Sequence, residues 1–145
     1  TAIRTNAEGG DMRPVTIRRA IQKAAGFAMG IIRTTEALEA ARDELARIRK
    51  EDLPRQAVGS PTLAYNMERN EAIENYNLLT ISELSVLASL TREESRGSYL
   101  RPEFPEKSDD WACSLAIGGS EGNYEFEKIE MPVVDWESID WSQTA

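Results

Sequence analysis

Three apolar stripes with helical spacing limit what this chain can fold into. In each of three stretches, apolar residues recur every three or four positions, and proline or glycine separates one stretch from the next. Such spacing places apolar side chains on one face of a helix, while proline removes a backbone donor and ends the helix. A helix with one apolar face buries it against a neighbouring element. The pattern therefore predicts a mainly α fold built on three packed helices.

The first two helices have clear start signals. We expect the first to follow Pro14, since proline is tolerated in a first helical turn. The second begins near Thr34, whose hydroxyl can cap free backbone N–H groups, and Leu53 with Pro54 closes it. The first stripe is Ile17, Ile21, Ala24, Ala28 and Ile31, and the second is Ala37, Leu38, Ala41, Leu45 and Ile48.

The third predicted helix is the longest. We expect it to begin at Tyr65 or Asn70 and to end at Arg96, because Gly97 readily adopts the left-handed conformation that terminates helices. A broad apolar face suits the central helix of a bundle. Residues 14–97 would then form a three-helix bundle like a spectrin repeat, after a polar, loop-like or disordered segment at 1–13. The predicted face is Ile73, Tyr76, Ile81, Leu84, Leu87, Ala88 and Leu90.

The character of the sequence changes after Gly97. Two nearby prolines prevent a continuous helix, and two extended runs follow at residues 111–117 and 124–131. We expect an irregular segment, a short β-hairpin and a peripheral acidic tail that holds Trp136 and Trp141. Residues 98–145 would thus complete one domain.

Composition argues against several classes of function. A net charge of −8 opposes binding to a nucleic-acid backbone. The chain has no histidine, the commonest general base and metal ligand, and the single Cys113 permits neither an internal disulfide nor a cysteine metal site. No glycine-rich nucleotide loop and no membrane-length apolar stretch occurs. We expect no catalytic, cofactor-binding or metal-binding residue here, and no direct membrane insertion.

A polar cluster near the end of the third predicted helix is the candidate functional site. Projected at about 100° per residue, Glu94 falls beside the apolar stripe. A carboxylate at a buried face needs a partner, and Arg33, Arg96 and Arg101 are the candidates. The cluster suits fastening another surface, although an ordinary solvated helix end is the alternative.

The same residues carry a family resemblance. Residues 92–105 read R-E-E-S-R-G-S-Y-L-R-P-E-F-P. This run resembles the R-K-E-S-R-G-x-H-x-R-x-D-F/Y-P signature of the carboxy-terminal domain of succinate dehydrogenase and fumarate reductase flavoproteins. Residues 109–111 are similar to that family's D-D/E-N-W, and residues 30–38 to its G-x-x-R-x-x-x-x-L junction. Residues 71–90 resemble its long helix with E-x-x-N-L-L, so the resemblance covers most of the chain.

The resemblance implies a non-catalytic domain of an FAD-dependent oxidoreductase of the CH–CH donor class. In such enzymes FAD and the substrate residues belong to an amino-terminal flavin domain, so FAD is expected in the parent enzyme and not on this chain. The helical domain packs on that flavin domain and, in electron-transport complexes, lies near an iron–sulfur subunit. The chain would be cytoplasmic, with membrane association only through partner subunits. Carried over by position, the docking cluster is Glu94, Ser95, Arg96, Gly97, Tyr99 and Arg101.

Two departures leave the parent enzyme's substrate open. Tyr99 stands where the signature has histidine, and the histidine that usually follows the tryptophan is absent. L-aspartate oxidase and adenylylsulfate reductase flavoproteins share the architecture.

Other readings of the chain are a free-standing helical interaction module with an accidental match and an independent enzyme using Asp109 and Asp110. Since the chain begins at Thr1 within ordinary sequence, we expect a piece of a longer flavoprotein. We also expect self-association through apolar residues beside the docking cluster.

Overall fold

The computed structural model describes residues 3–5, 9–120 and 123–131. Its three long helices each pack against the other two, and two small sheets accompany them. The predicted mainly α fold with a hairpin is therefore confirmed, whereas the predicted tail with Trp136 and Trp141 lies outside the described residues. The elements are β1 (Arg4–Thr5), α1 (Pro14–Ala28), α2 (Thr35–Arg47), β2 (Ala57–Val58), α3 (Met67–Thr91), β3 (Cys113–Ser120) and β4 (Asn123–Glu130).

Side-chain caps fix where α2 and α3 begin. The Thr34 hydroxyl accepts a hydrogen bond from the backbone N–H of Ala37 at 3.2 Å, as the sequence predicts. The Asn66 carbonyl oxygen accepts one from the N–H of Arg69 at 3.0 Å. Each cap satisfies a backbone donor that has no partner inside the helix. Helix α3 therefore starts at Met67, between the two positions that the sequence suggests.

The apolar core lies where the three helices meet. The predicted stripes of α1 and α2 supply most of it, which confirms the spacing argument for these helices. Ile31 is the exception, because α1 ends three residues earlier and leaves this side chain 73% exposed. The buried core residues are Ile17, Ile21, Ala28, Leu38, Ala41, Leu45, Ile48, Leu53, Leu79 and Val86.

The predicted inner face of α3 is wrong in part. Ile73 and Ile81 are 48% and 63% exposed, although Tyr76 and Leu90 do pack against the core while partly buried. Because α3 is apolar on several sides, hydrophobicity alone does not reveal which side meets the other helices. The buried residues instead follow one another in steps of three and four and include small and polar side chains: Ala72, Asn75, Leu79, Ser82, Val86 and Ser89.

Buried amides tie α3 to the rest of the bundle. The Asn75 amide group donates to the carbonyl of Pro14 at 2.9 Å and to the side-chain oxygen of Gln56 at 2.7 Å. Gln56 in turn donates to the carbonyl of Ala72 at 2.9 Å. Since unpaired polar groups are unfavourable in a core, these bonds select one register between α1, the α2–α3 connection and α3.

In its described parts, the polar segment before α1 is more ordered than the sequence indicates. β1 pairs in parallel with β2, and the Ala57 N–H donates to the carbonyl of Met12 at 2.9 Å. Gly10 allows this approach, since a Cβ there would collide with the Cβ of Ala57. The predicted loop therefore contains a parallel pairing that the sequence does not indicate, because a two-residue pairing leaves no periodic signal.

Helix α3 ends at Thr91, five residues before the predicted end. Arg92 is already extended, with φ −82° and ψ 115°. Gly97 does adopt a left-handed conformation at φ 63°, but it lies in a turn bridged by Arg96 and Tyr99. The glycine signal was therefore correct about conformation and wrong about the helix end. Within the part of the chain that the structure describes, no helix has the length and apolar character to cross a membrane.

We expect Asn75→Ala to destabilise the chain by about 2–3 kcal/mol, because it leaves two buried acceptors without donors and opens a small void. Urea unfolding followed by circular dichroism would measure this. The matched control is Asn77→Ala, two residues along the same helix and exposed. It should change stability by less than about 0.5 kcal/mol. Equal effects of the two substitutions would contradict the role given to the buried amides.

Candidate functional site

The segment after α3 folds back over the end of the bundle. The N–H of Leu100 donates to the carbonyl of Ile31 at 2.7 Å, and the N–H of Arg33 donates to the carbonyl of Leu100 at 2.9 Å. Ile32 and Leu100 thereby form a parallel bridge. The bridge fastens the predicted docking cluster to the junction between α1 and α2.

Glu94 is the buried centre of this segment, with no exposed side-chain surface. One carboxylate oxygen accepts from Arg92 Nη1 at 2.5 Å and from Arg96 Nε at 2.8 Å. The other accepts from the backbone N–H of Ser108 at 3.1 Å. The prediction that Glu94 needs a cationic partner is confirmed for Arg96. Arg33 and Arg101 do not pair with it, and Arg92 was missed because a helical projection points it elsewhere.

The surroundings of Glu94 keep it ionised. Burial alone raises the pKa of this carboxyl, since desolvation disfavours the charged form. The hydrogen bonds from Arg96, from the Ser108 N–H and from Arg92 outweigh burial and lower the pKa from its ordinary 4.5 to about 2. At neutral pH the carboxylate therefore carries a negative charge that positions two arginines.

Arg92 extends this ionic contact to the β-hairpin. Its guanidinium donates to the carbonyl of Trp111 at 2.7 Å and to the carbonyl of Cys113 at 2.8 Å. It also lies 5.5 Å from the centre of a Trp111 ring. One arginine thus connects the end of α3, the buried carboxylate and the first residue of β3.

Ser95 and Arg101 are the buried residues that hold together the turn after α3. The Ser95 hydroxyl accepts from the N–H of Arg101 at 2.8 Å and donates to the carbonyl of Phe104 at 2.8 Å. The Arg101 guanidinium, only 1% exposed, donates to the carbonyls of Ser89 at 2.5 Å and Arg92 at 3.0 Å. These carbonyls belong to the end of α3, where a cation is favoured by the helix dipole. Arg101 therefore caps α3.

The same turn holds the start of α2. Arg101 also donates to the hydroxyl of Thr35 at 2.8 Å, and Glu103 accepts from the backbone N–H of Thr35 at 2.7 Å. Positive and negative side chains from one turn thus bind the carboxyl end of α3 and the amino end of α2. This arrangement fixes the relative position of the two helices at this end of the bundle.

The docking cluster divides into inward and outward members. Glu94, Ser95 and Arg101 are buried, and each makes side-chain hydrogen bonds to other parts of the chain. Arg96 is 37% exposed at its side chain and Gly97 is exposed. Tyr99 is half-buried. Only Arg96, Gly97 and Tyr99 are therefore available to meet another surface, and a docking role for the cluster stays a prediction.

An apolar edge, made of Ile31, Ile32 and Leu100, lies beside the cluster. These side chains are 73%, 60% and 41% exposed. They meet at the backbone bridge that joins the α1–α2 junction to the segment after α3. The predicted site residues do not include this edge, although the sequence does show two adjacent isoleucines just beyond the end of α1. Among the described residues, no group of three or more His, Cys, Asp or Glu could hold a metal ion.

Comparison with known proteins identifies the family. Residues 18–143 match the family described as fumarate reductase flavoprotein C-term. The chain belongs to this family. A match over that length also makes the idea of an accidental signature wrong.

Relatives of this family member come from archaea and bacteria. The chain is 30% identical over 119 residues to one subunit of the fumarate reductase (CoM/CoB) of Methanothermobacter marburgensis, covering 79% of this chain and 21% of that protein. It is 27% identical to the succinate dehydrogenase flavoprotein subunit of Coxiella burnetii, covering 81% of this chain and 20% of the relative. The chain therefore spans about a fifth of the length of these relatives.

Solved structures share the fold. Mycobacterium smegmatis Sdh1, in a complex with UQ1, superposes with a TM-score of 0.73 at 25% identity, over 84% of this chain and 21% of that one. Quinol fumarate reductase FrdA of E. coli superposes with a TM-score of 0.76 at 21% identity, over 86% of this chain and 22% of that one. The bundle and hairpin are thus the fold of a region of these longer chains.

The depressed pKa of Glu94 predicts a loss of stability in acid. Folding lowers the pKa from 4.5 to about 2, so the carboxylate stabilises the fold fully above pH 4.5 and loses this effect as the pH falls towards 2. This pKa shift corresponds to a contribution of about 3 kcal/mol to the free energy of unfolding. We reduce it to roughly 2 kcal/mol, because Arg96 is partially exposed and solvent screens its charge.

The test of this pH dependence compares Glu94→Gln with the wild-type chain by chemical unfolding from pH 7 to pH 2. We expect a difference of roughly 2 kcal/mol at pH 7 that narrows as the wild-type carboxyl becomes protonated. Glu93→Gln, at the adjacent exposed position, is the control and should follow the wild type. A Glu94→Gln difference that is independent of pH would contradict the assignment.

Proposed function

We propose that this chain is a non-catalytic docking domain of an FAD-dependent oxidoreductase of the fumarate reductase and succinate dehydrogenase type. In this proposal FAD and the substrate belong to the remainder of the parent enzyme. The domain packs on the flavin domain and offers its free surface to an iron–sulfur partner subunit. Membrane association, where it occurs, is through partner subunits. Family membership and the flavoprotein names of the relatives support this reading.

The apolar edge carries the proposal. Ile31, Ile32 and Leu100 lie in connecting segments, outside the helices of the bundle. Their side chains are therefore exposed for a reason other than incomplete packing between helices. Adjacent exposed apolar side chains beside polar groups are typical of protein interaction surfaces. Arg96 and Tyr99 supply such polar and aromatic groups next to Leu100. The inward members of the docking cluster hold this surface in a fixed shape.

Asp109 and Asp110 give no support to an independent enzyme. Both are exposed in the short turn Asp109–Trp111, which contributes backbone carbonyls and an N–H to neighbouring groups. Paired exposed carboxylates of this kind commonly form turns. The position of these two aspartates therefore favours the docking proposal over an independent enzyme.

We expect the isolated chain to self-associate through the apolar edge and Ile31→Glu to reduce this, because a charge placed there opposes burial of the edge. Analytical ultracentrifugation across a concentration series would measure the dissociation constant. Ile81→Glu is the matched control, since Ile81 is 63% exposed on α3, away from the edge. At least a tenfold weakening by Ile31→Glu alone is expected. Equal behaviour of both variants, or a strictly monomeric wild type, would contradict the surface assignment.

The proposal also predicts that the chain lacks a flavin site. Mixed with FAD and passed through a desalting column, the chain should retain no flavin absorbance. Fluorescence titration of FAD should show no saturable quenching at micromolar chain concentrations. Stoichiometric retention of FAD by this chain would overturn the assignment of the cofactor to another domain.

A further inference from the structure

A cavity of about 310 Å³ lies beside Tyr99. It is open to solvent on one side and is lined by the α1–α2 junction, the last two turns of α3 and strand β3, which contributes Leu115. Its volume falls within the range of small-ligand sites, roughly 300–1,000 Å³. The cavity is distinct from the apolar edge, although Tyr99 adjoins both.

Arg33 gives the cavity a positive charge. Among the described residues, no carboxylate forms a salt bridge with it. Its guanidinium is partly buried and donates from Nε to the carbonyl of Gly30 at 3.0 Å and from Nη1 to the hydroxyl of Ser89 at 2.9 Å. Both acceptors are neutral, and Nη2 makes no hydrogen bond to a described residue. A partly buried cation in this position favours an anionic partner.

Tyr99 supplies a donor without an acceptor in the described part of the chain. Its hydroxyl oxygen is buried and has no hydrogen-bond partner there. Arg33 lies over its ring, 4.9 Å from the centre. Burial raises the pKa of this phenol, so the hydroxyl keeps its proton at neutral pH. A buried hydroxyl in this state requires a bound water or a ligand to accept its hydrogen bond.

The remaining lining is compatible with a negative charge, and the described residues that form it include no acidic side chain. Arg92 lines the cavity, and its charge is already matched by the buried carboxylate of Glu94, which does not line the cavity. Ser85 adds a hydroxyl that makes no side-chain hydrogen bond to a described residue. The Arg33 cation and the neighbouring hydroxyl donors suit a ligand group that carries one negative charge and two acceptor oxygens.

We propose that this cavity binds a carboxylate group, which accepts hydrogen bonds from Arg33 and Tyr99. The carboxylate can come from a free small molecule or from an aspartate or glutamate side chain of a docked surface. The second source rests on the proposed docking function, while the first does not. Both sources present the same chemistry to the cavity.

The test is a nuclear magnetic resonance titration of the full chain with sodium acetate, against sodium chloride at equal ionic strength. We expect saturable shifts confined to the amides of Arg33, Ser85, Tyr99 and Leu115. Arg33→Gln should weaken binding at least tenfold, and Tyr99→Phe, which keeps the ring, about threefold. The matched controls Arg42→Gln and Tyr65→Phe alter exposed side chains elsewhere and should bind acetate like the wild type.

A second arm distinguishes the sources of the carboxylate. N-acetylglutamate α-amide imitates a glutamate side chain, and N-acetylglutamine α-amide is its uncharged counterpart. Binding of acetate and the glutamate compound supports a side chain from a docked surface, whereas binding of acetate alone supports a free small molecule. Absence of saturable shifts with acetate, or equal affinities in Tyr99→Phe, Arg33→Gln and the wild type, would overturn the site. Ile31→Glu tests docking independently, since Ile31 does not line the cavity.

Discussion

The buried ion pair of Glu94 with Arg92 and Arg96 determines the path of the chain after α3. A carboxylate without exposed surface is unstable unless several donors meet it, and here two guanidinium groups and one backbone N–H do so. Meeting these donors requires the backbone to leave the helix at Thr91 and to return along residues 101–108. The cap on α3 by Arg101, the bridge to Ile32 and the attachment of the hairpin all follow from that return.

Sequence reasoning succeeded where the signal is local. The stripes of α1 and α2 are separated from polar positions by clear periodicity, and the Thr34 cap follows from one side chain and its neighbours. The inner face of α3 could not be predicted, because this helix is apolar on several sides and its core register depends on Asn75, a polar residue. The pairing of β1 with β2 joins two-residue segments that are far apart in sequence. Such contacts leave no periodic trace.

For the candidate site too, local features could be predicted from the sequence and long-range contacts could not. The signature singles out the segment around Glu94 from the sequence alone, because a run of unusual residue types is informative without any geometry. The partners of Glu94 were only partly predicted, since the helical projection assumed that α3 continues to Arg96. The sequence does not reveal the apolar edge, because Ile31 continues the helical spacing of the α1 stripe although helix α1 ends at Ala28. An apparent extension of a core stripe past the helix end was in fact a surface feature.

Arg92 has a consequence for how the fold opens. Its guanidinium binds both the buried carboxylate and two carbonyls at the start of the hairpin, so loss of the carboxylate charge also removes an anchor of β3 and β4. Strands β3 and β4 pair mainly with each other and expose most of their residues. We therefore expect the hairpin to open more easily than the bundle and independently of it. In hydrogen exchange at a pH near the Glu94 pKa of about 2, the hairpin amides would lose protection while those of the bundle core remain protected.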